Sequence, residues 1–216
     1  MLKQFGLLAA AIAVLGTAGA HAQSAVETDV LSLKRSWAEA NYLIPDKSAR
    51  VAALEALQPR AHALSEQYSE RAEPLIWEGI VYSSYAEAKG GLGALSAART
   101  ARRLFESAIA IDEKALDASA LCSLGVLYAK VPGFPIGFGD KKKARELLQK
   151  AAAISPDSID TNYFLGEFLA DNHDVAGAVR HLRKALQATV EPGQETADHG
   201  RREQARALLA KLGARN

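Results

Sequence analysis

The chain has 216 residues, of which 49 % are hydrophobic and 6 % aromatic, and it carries 26 basic against 25 acidic side chains. This near-neutral balance argues against nucleic acid as the main partner, because binding a phosphate backbone requires a basic face. The single cysteine, Cys122, leaves no internal disulfide, so the packing of secondary structure has to hold the fold together.

The first 22 residues have the pattern of a secretory signal peptide. Lys3 supplies a positive end, residues 7–15 form a short apolar run, and residues 20–22 (Ala-His-Ala) resemble a cleavage site before Gln23. A membrane anchor is the alternative, but spanning the hydrocarbon core takes roughly 20 apolar residues. We therefore expect cleavage after Ala22, a periplasmic location and no stable membrane insertion of the mature chain.

The remaining chain is rich in alanine and leucine with helical periodicity, and no alternating strand pattern is convincing. A first amphipathic helix is predicted over 30–42, and a second over 49–71, which Pro59 should split or kink. Further helices are predicted over 74–88, 94–111, 114–130, 140–154, 157–171 and 175–188. A final helix over 197–212 should cover the last apolar surface and place its basic residues in solvent, namely Arg201, Arg202 and Arg206.

One spacing of small and bulky residues occurs three times. A glycine in one helix is followed, one helix later, by a small, a bulky and a small residue spaced four and three apart. The sets are Gly79 with Ala101, Phe105 and Ala108, Gly125 with Ala144, Leu148 and Ala151, and Gly166 with Ala178, Leu182 and Ala185. The small residues indicate where two helices approach closely, and the bulky residue fills the space between them.

A helix-turn-helix unit of about 34 residues with this spacing resembles the tetratricopeptide repeat. The resemblance covers residues 73–192 as three repeats, with 23–72 as N-terminal helices that can be read as a degenerate repeat and 193–216 as a C-terminal capping helix. It implies an all-α fold, a short right-handed superhelix of helix-turn-helix repeats, and a binding surface rather than an enzyme.

In tetratricopeptide arrays the first helix of each unit lines the concave surface. On this resemblance the groove is apolar in the middle and acidic at one end, and it lacks the lysine and asparagine residues with which some members bind a peptide carboxylate. The predicted binding-groove residues are Ile76, Trp77, Ile80, Val126, Lys130, Phe134, Phe138, Asp160, Tyr163 and Glu167.

The segment 131–140 (VPGFPIGFGD) interrupts the middle repeat with two prolines, three glycines and two phenylalanines. Two interpretations stay open: a plug that folds back onto the helix ends, or an apolar lip beside the groove. The segment also resembles an insertion in exported proteobacterial tetratricopeptide proteins and, more weakly, in accessory proteins of TRAP transporters. That resemblance implies support of solute uptake through protein–protein contact.

No motif predicts catalysis or a bound cofactor. The run 171–174 (Asp-Asn-His-Asp) falls on a tight turn, where such residues bond the backbone, and it lacks the spacing of a zinc site. No nucleophile and base pair can be assigned by spacing. The sequence therefore predicts a periplasmic scaffold that binds a protein or peptide partner, with no enzyme activity and no metal. The alternative is a periplasmic carrier of a small apolar ligand.

Overall fold

The computed structural model describes residues 25–91, 93–190 and 192–214, and within them every regular element is a helix. Helix α1 spans 25–38 and ends in a π-helical turn, Glu39–Leu43. The helices that follow are α2 (Lys47–Gln67), α3 (Ala72–Lys89), α4 (Ala94–Ile111), α5 (Ala115–Lys130), α6 (Lys141–Ile154), α7 (Ile159–Asp171), α8 (Val175–Gln187) and α9 (Glu195–Lys211).

The sequence analysis made two predictions about export and membranes, a signal peptide and no stable membrane insertion. The signal peptide predicted for residues 1–22 lies outside the described residues. Among the described helices, none combines the length and the apolar character needed to cross a bilayer.

Consecutive helices pack as hairpins, with α3 on α4, α5 on α6 and α7 on α8. Helices α1 and α2 are joined by the Arg60 guanidinium, which donates hydrogen bonds to Ser32 Oγ at 2.7 Å and Ser36 Oγ at 3.2 Å. Each hairpin also packs on the next along the chain. The all-α, helical-repeat architecture expected from the sequence is therefore confirmed.

The recurring glycine spacing corresponds to close contacts inside the hairpins. A Cβ atom added to the glycine would meet its bulky partner at 2.5 Å for Gly79 and Phe105, 2.8 Å for Gly125 and Leu148, and 2.9 Å for Gly166 and Leu182. Real Cβ contacts are longer than this, so only glycine fits at these positions. The flanking alanines are fully buried, for example Ala144 and Ala178. The predicted helix contacts are confirmed in all three sets.

Helix α2 corrects the expectation that Pro59 splits the second predicted helix. The helix runs without interruption from Lys47 to Gln67 with Pro59 inside it. Pro59 is exposed, so the carbonyl that loses its hydrogen bond to the proline position can be solvated. The packing of α2 on α3 keeps the two halves of the helix aligned.

Aspartates begin two of the later helices. Asp140 Oδ1 accepts hydrogen bonds from the backbone N–H groups of Lys142 and Lys143, and Asp174 Oδ1 accepts one from Gly177 N at 2.8 Å. These are N-caps, which stabilise a helix by satisfying its free amide groups. Asp174, the second aspartate of the 171–174 run, is thus occupied by a cap.

Candidate functional site

The odd-numbered helices form a closed ring, which we call the inner ring. Helix α3 packs on α5, α5 on α7, and α7 on α9. Helix α1 packs on α3 through Trp37, whose ring lies 5.5 Å from that of Trp77 and whose Nε1 donates to Ser84 Oγ at 2.8 Å. The ring closes because α9 also contacts the π-helical turn at the end of α1. Five helices therefore surround one central cavity.

The closure depends on glycines of the last segment. A Cβ on Gly200 would lie 2.3 Å from the ring of Tyr42, so the tyrosine fills the space that a side chain would need. The π-helical turn Glu39–Leu43 carries Tyr42 to this position, and such turns often occur at functional sites. Nearby, Gly193 has a positive φ of 81° and approaches Arg35 of α1.

The cavity is large and has aromatic walls. Its volume is about 1450 Å³, above the range of roughly 300–1,000 Å³ that is typical for small-molecule pockets. All five helices of the inner ring contribute side chains. The aromatic members of the lining are Trp37, Tyr42, Trp77, Tyr163 and Phe164.

Acidic side chains outnumber basic ones around the cavity. The lining includes six carboxylates and four cations: Glu87, Asp117, Asp157, Asp160, Glu167 and Asp198 against Lys34, Lys114, Lys130 and Arg201. Because opposite charges attract across a low-dielectric wall, this excess favours an occupant that carries positive charge.

Arg201 of α9 is a buried cation of the cavity wall, with 8 % of the residue exposed. Its Nε donates to Asp160 Oδ1 at 2.7 Å and its Nη1 to Gln204 Oε1 at 2.8 Å. The guanidinium lies over the rings of Tyr163, at 4.7 Å, and Phe164, at 4.2 Å. These contacts combine an ion pair with cation–π attraction, and they attach α9 to α7.

Burial opposes the charge on Arg201, but the neighbouring oxygens of Tyr42 and Asp160 outweigh this effect and hold the pKa of the guanidinium above its usual value. Burial raises the pKa of Tyr42, and also that of Tyr163. Both phenols thus stay protonated at neutral pH and can donate hydrogen bonds, which Tyr163 does to Glu167 Oε1 at 3.2 Å.

The position of Arg201 corrects the expectation of a solvated basic face on the last helix. Its neighbour Arg202 is also engaged, donating to the carbonyl oxygens of Leu186 and Ala188 at 2.6 Å each. Only Arg206 behaves as expected, since it is half-exposed and pairs with Glu203 on the same helix. The sequence pattern located α9 but not the ring closure that draws two of its arginines inward.

A second charged group joins α5 and α7. Lys130 Nζ lies 3.1 Å from Glu167 Oε2 and 3.0 Å from Asp171 Oδ2. Burial opposes the charge on Lys130, but Glu167 and Asp171 outweigh it and keep the lysine pKa above its ordinary value. Two carboxylates thus share one lysine, so a net negative charge remains at this side of the cavity.

The thiol of Cys122 lines the cavity but is not a reactive group. The residue is buried, and its Sγ lies 3.9 Å from the carbonyl oxygen of Asp160. Burial, with a smaller contribution from the Asp160 charge, raises the thiol pKa. A thiolate is the nucleophilic form of cysteine, so this side chain acts as a small apolar residue of the wall.

Seven of the ten predicted groove residues line the cavity: Trp77, Ile80, Val126, Lys130, Asp160, Tyr163 and Glu167. Three do not. Ile76 is fully buried in the core, Phe134 is 94 % exposed, and Phe138 packs edge-on against Tyr128 with ring centroids 5.6 Å apart. A residue's position in the repeat therefore predicted well which side chains line the cavity. The apolar character of the phenylalanines in the 131–140 segment did not predict this.

The 131–140 loop combines features of both interpretations drawn from the sequence. Phe138 folds back as a plug, while Val131, Pro132 and Ile136 border the cavity. The loop closes on itself through a 2.9 Å hydrogen bond from Gly139 N to Pro132 O. Phe134 at the tip contributes to neither the plug nor the wall.

Sequence reasoning missed Phe164 of the third repeat. It also missed wall residues that come from outside the three repeats, namely Lys34, Trp37, Tyr42, Asp198 and Arg201. The sequence could have indicated Trp37, because it is a large aromatic residue on the first amphipathic helix, as Trp77 is on the next helix of the inner ring. No local signal marks Tyr42 or Arg201, because both depend on contact between the two ends of the array.

Within the described residues, no group of three or more His, Cys, Asp and Glu side chains is arranged to hold a metal ion. No protein-family model matches this chain, and no curated protein matches it.

Proposed function

We propose that this protein is an interaction scaffold of the tetratricopeptide type that binds a peptide segment of a partner protein inside its inner ring. The single observation that carries the proposal is the cavity of about 1450 Å³ lined by all five inner helices. It exceeds what a small ligand fills, and its aromatic walls suit the apolar anchors with which grooves bind peptides.

The charges of the wall define the class of segment. Six lining carboxylates against four cations leave an excess of two negative charges, which favours a peptide with lysine or arginine beside its apolar anchors. A strongly acidic peptide would be repelled by this excess of carboxylates, for example at Glu87.

The chain carries its own reporter for this test, because its only two tryptophans, Trp37 and Trp77, both line the cavity. Synthetic 12-residue peptides that alternate apolar residues with lysine, or with glutamate, can be titrated while tryptophan emission is followed. We expect the lysine series to bind at least about 10-fold more tightly than the glutamate series at low salt.

A matched pair of variants locates the binding. Ser123 lines the cavity on α5, whereas Ser107 is exposed on α4 outside it. Ser123→Tyr should fill part of the cavity and abolish the peptide-dependent emission change, and Ser107→Tyr should leave it unchanged. Equal binding by both peptide series, or normal binding by Ser123→Tyr, would falsify the proposal.

A second candidate, a carrier of a small apolar ligand, is favoured by one observation: contact between α9 and the end of α1 encloses the aromatic wall. Native mass spectrometry of the purified protein distinguishes the two. A small molecule retained at one per chain and lost in Ser123→Tyr supports the carrier.

The proposed compartment is the periplasm, on the basis of the signal-peptide pattern in residues 1–22. Sequencing of the protein recovered from a periplasmic fraction should begin at Gln23. Recovery only from membranes, with residues 1–22 retained, would contradict this part of the proposal.

A further inference from the structure

The tip of the 131–140 loop exposes an aromatic side chain almost completely. Phe134 is 94 % exposed, and Ile136 beside it is also largely exposed. Among the large hydrophobic residues of the described chain, Phe134 has the highest exposure. Soluble surfaces tolerate isolated apolar residues. Ile136 also borders the cavity, but it is 56 % exposed, and with Phe134 it forms a small apolar protrusion at the loop.

The protrusion is held by the loop backbone. Gly139 N donates to Pro132 O, and Asp140 N donates to Tyr128 O, both at 2.9 Å. A Cβ on Gly139 would lie 1.9 Å from the carbonyl oxygen of Val131, so the two arms of the loop are in direct contact. A tip fixed in this way loses little conformational entropy when it inserts into another phase.

A basic cluster surrounds the base of the protrusion. Arg99, Arg102 and Arg103 of α4 line a shallow hollow with Gly137 and Phe138 of the loop. The first turn of α6, directly after the loop, adds Lys141, Lys142 and Lys143, and Lys143 Nζ donates to Tyr128 OH at 2.8 Å beneath the loop.

Acidic residues offset only half of this charge. Helix α4, the loop and α6 contribute Glu106, Asp140 and Glu146, and Glu106 is paired with Arg102 at 2.8 Å. Over the same segments Arg145 and Lys150 bring the basic side chains to eight, against three acidic ones, in a chain whose formal net charge is only +1. The positive charge of the molecule is concentrated beside its most exposed apolar tip.

We propose that this surface docks on a lipid bilayer containing anionic lipids, with Phe134 and Ile136 inserted among the acyl chains and the basic cluster against the headgroups. Apolar side chains combined with lysine and arginine are the two attractions that peripheral membrane binding requires. A partner protein would need an acidic rim around an apolar pocket, whereas an anionic bilayer presents both properties over any large area.

The proposal is tested by flotation of the full chain with two kinds of vesicle, phosphatidylcholine alone and phosphatidylcholine with about 30 % phosphatidylglycerol. The anionic lipid makes the surface of the second kind negative. Binding should require the anionic lipid and weaken as salt is raised. Phe134→Ala should weaken binding roughly 10-fold or more, from lost burial of the ring. Lys141→Gln with Lys142→Gln should weaken it roughly 25-fold, at about fivefold for each charge.

Every variant keeps the same N-terminal residues. A difference in vesicle binding between variants therefore comes from the substituted side chains and not from the N-terminal segment. Leu43→Ala removes another exposed apolar side chain, and Arg206→Gln with Lys211→Gln removes two charges from α9. Both should bind anionic vesicles as the unmodified chain does. Circular dichroism should be unchanged in every variant, because each altered side chain is exposed or half-exposed.

Insertion has a direct readout. In Phe134→Trp, emission should shift to the blue on anionic vesicles and be quenched by lipids spin-labelled in the acyl chains, above the background of Trp37 and Trp77 measured in the unmodified chain. Vesicle binding that is equal for Phe134→Ala, equal for the two lipid compositions, or without acyl-chain quenching overturns the proposal. Absence of vesicle binding altogether also overturns it, and would assign the tip to a protein partner.

Discussion

The pair formed by Arg201 and Asp160 predicts an unequal response to removal of its two members. Arg201 is 8 % exposed, whereas the side chain of Asp160 is 49 % exposed. In Asp160→Ala the buried guanidinium keeps its charge but loses its ion-pair partner, which typically costs about 3–5 kcal/mol for a buried pair. We expect the lower end of this range, because Gln204 and the rings of Tyr163 and Phe164 still contact the guanidinium.

Arg201→Met should cost less. Methionine retains much of the apolar stem over the two rings, and the half-exposed carboxylate of Asp160 is rehydrated when its partner is removed, so the loss should be about 1 kcal/mol. The double variant Asp160→Ala with Arg201→Met should be more stable than Asp160→Ala alone, since it removes the uncompensated charge. Removal of the acid is thus more damaging than removal of the base.

Urea denaturation measures these differences, and a gap of about 2 kcal/mol should also separate the two melting temperatures by roughly 4–8 °C for a chain of this size. Arg206 provides the matched control, because it lies on the same helix and pairs with Glu203 at the surface. Arg206→Met should change stability by no more than about 0.5 kcal/mol. If Arg201→Met proves as costly as Asp160→Ala, or as harmless as Arg206→Met, the reasoning about the buried charge is wrong.

Three further perturbations test the packing, the acid sensitivity and the closure. Ala178→Leu overpacks a fully buried helix contact and should lower the free energy of unfolding by about 1–3 kcal/mol, measured in urea; no change would contradict the repeat register. Burial and then nearby cations lower the pKa of His181 below 6.5. The unfolded chain therefore takes up this proton first, so the stability that neutral His181 contributes is present above about pH 6.5 and lost as the pH falls. His181→Gln should flatten that part of a pH–stability curve, and His199→Gln, at an exposed position, should not. Gly200→Ala forces a Cβ against Tyr42 and should weaken peptide binding in the cavity by tryptophan titration, and an unchanged affinity would show that closure does not shape the site.

The helices and their pairing could be predicted because their causes are local. An isolated glycine says little, but Gly166 followed by Ala178, Leu182 and Ala185 specifies which helix faces meet. The structure places Gly166 against Ala178 and Leu182, and it buries Ala185 completely. Likewise, Asp140 before a run of helix-forming residues predicts a cap without tertiary information.

The ring closure could not be predicted, because it depends on small rotations that accumulate over successive hairpins. The burial of Arg201 follows from that closure, and nothing in its own helix distinguishes it from Arg206. The aromatic residues of the loop show the same limit: Phe134 and Phe138 lie four residues apart in one apolar segment, yet one is exposed and the other packs on Tyr128.

Helix α7 carries residues that pack its hairpin and residues that line the cavity at neighbouring positions. Leu165 and Gly166 lie in the core, whereas Glu167, one position after Gly166, lines the cavity. Tyr163 does both, because it is buried against residues of α8 and α9 and also borders the cavity. Leu165 and Gly166 thus serve the packing of the hairpin, Glu167 serves the cavity wall, and Tyr163 serves both. Substitutions at Glu167 act on the charge that an occupant meets, and those at Gly166 act on whether the hairpin packs at all.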